Sequence, residues 1–157
     1  AEGLNLPGLG PRGGLLTAWL ISSVIFGFLH RGNPHLSALG LFNLVLAGLF
    51  LGLGYILTGE LAIPIGLHIA WNFVQGTLFG FPVSGVDVGP AVIATESVGP
   101  SLWTGGAFGP EGGLLGTVAM LVGSVAILGW VRWRTGKIAL CMRLPEPPHK
   151  GTEPQGA

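Results

Sequence analysis

Residues 32–131 contain no Lys or Arg. A soluble domain cannot leave a hundred consecutive residues without a basic group on its surface, whereas helices that face lipid can. Over the whole chain seven basic and seven acidic side chains make 9% charged residues, against 49% hydrophobic; soluble domains carry about 25% charged. The pattern is that of an all-α, polytopic membrane helix bundle. Zero net charge removes the electrostatic footprint of a nucleic-acid binder, so no nucleic-acid partner is expected. The single cysteine, Cys141, excludes a disulfide framework or a Cys-cluster metal site.

Spans of about 20 apolar residues fit a bilayer. About four are expected: residues 15–29, 36–57, 61 to about 81, and 114–131. The first is short and stops at His30-Arg31-Gly32-Asn33-Pro34; the third carries Pro64 in its first turn, where a missing N–H costs least. A loop of roughly thirty residues separates the third and fourth spans and holds Asp87, Glu96 and Glu111. Trp130-Val131-Arg132-Trp133-Arg134 has the Trp/Arg mixture of a membrane interface. Four crossings would set Arg12 and the basic tail on one side, which the positive-inside rule makes cytoplasmic, although Arg31 falls on the other. Residues 1–136 are expected to form the membrane domain, and residues 137–157 a disordered cytoplasmic tail. The chain opens with Ala1 and a Gly/Pro-rich stretch without a basic n-region, so a signal peptide is not expected and a C-terminal portion of a longer protein is.

Polar residues inside apolar spans are expensive and therefore candidates for function. His30 ends the first span, four residues after Phe26 and on the same helix face. His68 lies about seven residues into the third span, roughly 10 Å from its start, with Asn72 and Gln75 following at i+4 and i+7. Asn43 could join this polar cluster or bridge helices. Glu60, at the N-terminal end of the third span, is expected to answer the helix dipole. Gly48/Gly52 and Gly76/Gly80 have the spacing of close helix packing. The Gly-rich stretch 103–113 lacks the Gly-Lys-Ser/Thr ending of a phosphate loop and reads as a connection. Neutral imidazoles can bind metal or move protons, and an amide can donate to an oxyanion. Peptide hydrolysis also needs a base, commonly a carboxylate, and none lies within a span.

Phe26-Gly27-Phe28-Leu29-His30 matches an FxxxH motif and His68-Ile69-Ala70-Trp71-Asn72 an HxxxN motif, with Ser22-Ser23 before the first and Thr58-Gly59-Glu60-Leu61 leading into the second. Over about residues 12–80 the chain thereby resembles the CAAX-protease and bacteriocin-processing (CPBP) family of intramembrane endopeptidases. The resemblance implies that His30 assists a glutamate in activating water, and that His68 and Asn72 stabilise the tetrahedral oxyanion. The alternative is zinc held by His30 and His68. It implies the lipid bilayer and a peptide or prenylated-protein substrate as partners. The family's EExxxR motif, which carries the general-base glutamate, has no counterpart here, since Glu2 lacks the second Glu and the Arg. The resemblance therefore implies a chain that is inactive alone. Two readings from other classes stand beside it: a non-catalytic scaffold or transporter subunit with a structural His/Asn/Gln stripe, and haem held by His30 and His68.

Overall fold

The computed structural model describes residues 8–143; Glu2 and residues 144–157 of the expected tail lie outside the described residues. Five α-helices follow one another: α1 Gly10–Leu29, α2 Ala38–Thr58, α3 Ala62–Asn72, α4 Ser101–Thr104 and α5 Leu114–Thr135. A π-helical turn, Phe73–Leu78, continues α3, and two 3-10 turns, Gly106–Phe108 and Pro110–Gly112, precede α5. No strand is present among the described residues, as the composition required.

α1, α2 and α5 are long and apolar enough to cross a membrane. The third expected span is continuous but divided. Its eleven α-helical residues give way to six π-helical ones, so it falls short of the other three in regular length. α1 also starts earlier than the sequence implies: Pro11 occupies its first turn and Gly13-Gly14 lie inside it rather than before it. Proline suits that position because the first amides of a helix lack intrahelical acceptors.

Local chemistry sets the helix ends. Ser37 Oγ accepts from the Gly40 N–H at 2.9 Å and caps α2. Gly59, at φ 77°, closes it with its N–H on the Tyr55 carbonyl at 2.7 Å. α1 and α2 approach closely because glycine lines the contact. A Cβ on Gly48 would lie 2.7 Å from Ser23 Cα, and one on Gly52 would meet the Trp19 ring at 2.6 Å. The first glycine pair therefore packs helix on helix. The second does not: Gly76 meets Val83 and Val88, and Gly80 meets Ala91, all in the long loop.

The core lies between α2 and α5, where Phe50, Met120, Ile127 and Val131 are buried and Leu67 and Trp71 of α3 pack against them. The long connection folds back onto this bundle. Phe108 is buried within it, and its carbonyl accepts from the Gly85 N–H at 2.7 Å. At the end of α5 the Arg134 guanidinium stacks over the Trp130 ring at 5.3 Å, which suits an interfacial pair.

Candidate active site

His30, His68 and Asn72 line one cavity of about 50 Å³, with Phe26, Phe50, Trp71 and Met120 among its apolar walls. A water molecule occupies about 30 Å³ in the liquid, so the space admits water beside a reacting group. Phe26 joins the two histidines. Its ring centroid lies 4.8 Å from that of His30 and 5.8 Å from that of His68, the latter in an edge-on arrangement. The turn after α1 docks on the long loop: Asn33 Nδ2 donates to the Ser84 carbonyl at 2.8 Å. His30 itself is half-buried, and Leu29 and Arg31 beside it are exposed.

The His30 tautomer follows from its partner. Nδ1 lies 2.7 Å from the Phe26 carbonyl oxygen, which can only accept. Nδ1 therefore carries the proton, and in the neutral ring Nε2 keeps its lone pair for another group. His68 is half-buried, whereas the Asn72 side chain is exposed.

The polar stripe of α3 splits in function. Gln75, in the π-helical turn, is buried and donates to the Pro82 carbonyl at 2.6 Å and to the Glu111 carboxylate. It ties the long loop to α3 instead of facing open space. Asn43 also resolves into a bridge. Fully buried, it donates to the carbonyls of Glu111 and Gly113 at 2.7 and 2.8 Å and accepts from Thr117 Oγ1 at 2.8 Å. Glu60 is exposed, away from the cavity.

Two cavity residues escape a reading confined to spans: Ser84 and Glu111, both from the long loop. No carboxylate lies within a span, but the Pro110–Gly112 turn brings one to the cavity wall from outside. Glu111 is 5% exposed. One carboxylate oxygen accepts from the Ser84 N–H and from Ser84 Oγ, the other from Gln75. Burial raises its pKa above the ordinary carboxylate value, against the opposing effect of the hydrogen bonds from Ser84 and Gln75. A signal was available in the sequence, since Glu111 stands in a Pro-Glu-Gly-Gly run three residues before a span. Glu60 has nearly the same setting, and only tertiary packing separates the two.

Among the described residues no group of three His, Cys, Asp or Glu is placed to hold a metal ion. Catalytic zinc takes three protein ligands, so His30 and His68 with the other described residues do not make such a site, and no step below is routed through a metal.

No curated protein and no solved structure matches the chain. A family model does: the one described as type II CAAX prenyl endopeptidase Rce1-like matches residues 2–74, the segment that contains both motifs. The resemblance read from FxxxH and HxxxN is thereby supported: residues 2–74, just under half of the chain, are similar to the CAAX-protease family of intramembrane proteases.

Proposed function

We propose that the protein is an intramembrane endopeptidase that hydrolyses peptide bonds near the membrane surface, in a prenylated CAAX-type substrate or a leader peptide. The observation that carries this reading is the convergence of His30, His68 and Asn72 on one cavity, although they come from two helices and thirty-eight residues separate the histidines. The catalytic work divides by chemistry. His30 Nε2, left as an acceptor by the Phe26 carbonyl, orients and polarises water. His68 and Asn72 supply donors to the oxygen that gains charge when water attacks the scissile carbonyl. The apolar walls beside the half-buried His68 lower the local dielectric and strengthen its hydrogen bond. Zinc bridging His30 and His68 would require a further ligand from outside the described residues.

The basic end of α5, with Arg132 and Arg134, faces the cytoplasm in this reading. The resemblance implies that a chain without the EExxxR motif is inactive alone, and Glu111, which lines the cavity from the long loop, is not part of that motif. One observation favours the scaffold reading: Gln75, one of the three stripe residues, is consumed in tying loop to helix.

The test is hydrolysis of an internally quenched peptide ending in a farnesylated CAAX box, by the natural full-length protein in proteoliposomes. Product that disappears in both His68→Ala and Asn72→Ala is expected. Turnover equal to wild type in those variants would sink the assignment.

A further inference from the structure

We propose that the long loop between α3 and α5 is itself a membrane-contacting element: residues 88–103 rest in the lipid–water interface, with Val92 and Val98 turned into the lipid. That placement follows from the membrane reading of α1, α2 and α5 and is independent of the chemistry of the cavity. Three observations carry it.

The first is what the loop leaves outside. Residues 79–110 carry two charges, Asp87 and Glu96, and no basic group. The loop turns Phe108 inward, yet Val88, Val92, Ile93, Val98, Leu102 and Trp103 stay exposed, Val92 at 74% and Val98 at 85%. Single exposed apolar side chains are ordinary on a protein surface. Six within sixteen residues are not, and such a surface marks a partner.

The second is depth. The eleven α-helical and six π-helical residues of the third span give about 25 Å of helix at 1.5 Å per residue, against a hydrocarbon core of about 30 Å. Exposed Glu60 holds the start of α3 at the opposite surface. The other end, at Leu78, therefore stops at the edge of the hydrocarbon region. The loop returns to that end: the N–H groups of Val92 and Ile93 donate to the carbonyls of Thr77 and Leu78 at 3.0 and 2.9 Å. These bonds seat Val92 and Ile93 at the depth where the span ends, and they satisfy backbone donors that lipid could not. The apolar exposure of α3, at Ile65, Ile69 and Phe73, thereby continues into the loop.

The third is the kind of attachment. Without Lys or Arg the loop has nothing to pair with anionic headgroups. Its contact is by apolar burial, which suits zwitterionic lipid. Asp87 and Glu96 are exposed and need water, which limits how far the loop can sink. Trp103 is of a residue type that settles at the interface. The loop therefore lies in the interface and does not cross it.

The same connection brings Ser84 and Glu111 to the cavity wall. Seating residues 88–103 in the interface places that wall at headgroup depth instead of in bulk water, and couples its position to the bilayer.

The experiment attaches the fluorophore NBD to single cysteines introduced as Val92→Cys, Val98→Cys, Gly32→Cys and Val125→Cys. The protein is the natural full-length one, with its other cysteines, Cys141 among them, replaced by serine, in phosphatidylcholine proteoliposomes. Gly32, where a Cβ would meet nothing, is the water reference. Val125, 69% exposed in the middle of α5, is the lipid reference. Nitroxide-labelled phosphatidylcholine should quench the Val92 and Val98 labels at least half as strongly as the Val125 label. Aqueous iodide should quench them at least fivefold less than the Gly32 label. Iodide quenching within twofold of Gly32 at both positions overturns the proposal. Protection from both quenchers also overturns it, because another segment or a second copy of the chain then covers the loop. A Val125 label that the nitroxide does not reach overturns the membrane reading of α5, and the proposal with it. Should the Val92 variant not fold, Val98, the most exposed position of the loop, decides by the same criteria.

Discussion

The side-chain amide of Asn43, in the second turn of α2, donates to the backbone carbonyl of Glu111 at 2.7 Å across sixty-eight residues of chain. This bond ties a loop outside the spans to the most buried polar position of the bundle. It explains why a Gly-rich connection holds one conformation beside the cavity. Asn43 holds the turn that carries Glu111 to the cavity wall.

Replacing Asn43 by Ala removes hydrogen bonds to two carbonyls and to the Thr117 hydroxyl. An unsatisfied buried polar group costs about 1–3 kcal/mol, and the Glu111 carbonyl would be one. Asn43→Ala is therefore expected to lose about 2–3 kcal/mol of stability, measured by denaturant unfolding in detergent. Asn43→Asp, which keeps the size but sets carboxylate oxygens against carbonyl oxygens, should lose at least as much. Unchanged unfolding midpoints would contradict the bridging role.

Asn72 presents the opposite case. Its side chain is exposed on the cavity side of α3, so Asn72→Ala should change stability by no more than about 0.5 kcal/mol. Loss of an oxyanion donor typically costs about 10²–10³ in kcat. The expected signature is a normal melting profile with kcat lowered about 100-fold, and an unfolded variant would argue for a structural role instead.

Gly48 separates packing from chemistry. Its contact with the Ser23 backbone leaves no room for a side chain, and overpacking costs about 1–3 kcal/mol. Gly48→Val should lower the thermal midpoint in detergent and push α1 from α2, displacing Phe26 and His30 with it. Gly129, where a Cβ would meet nothing, is the control: Gly129→Ala should be neutral.

The helices were legible because lipid-facing segments need no alternation of polar and apolar residues, so length and charge alone reveal them. α2 and α5 fall within a few residues of the expected spans. His30, His68 and Asn72 were legible because ionisable or amide groups stand out in apolar sequence. The division of α3 was not, because a π-helical turn differs from an α-helical one by a single hydrogen-bond register that composition does not encode. Nor was the part played by Glu111. In a loop, acid residues are ordinary, and what sets this one apart is the contact of its turn with Asn43, Gln75 and Ser84, all distant in sequence.

The raised pKa of Glu111 predicts a pH dependence of stability. A group whose folded pKa exceeds its unfolded one binds more protons in the folded state. Its contribution is fully present below the unfolded pKa and is lost as pH rises through the folded one. The melting temperature of wild type relative to Glu111→Gln should therefore decline as pH rises above the ordinary carboxylate value of 4.5. A difference in melting temperature that stays constant with pH would mean that the carboxyl has the same proton affinity folded and unfolded, and that burial does not govern it.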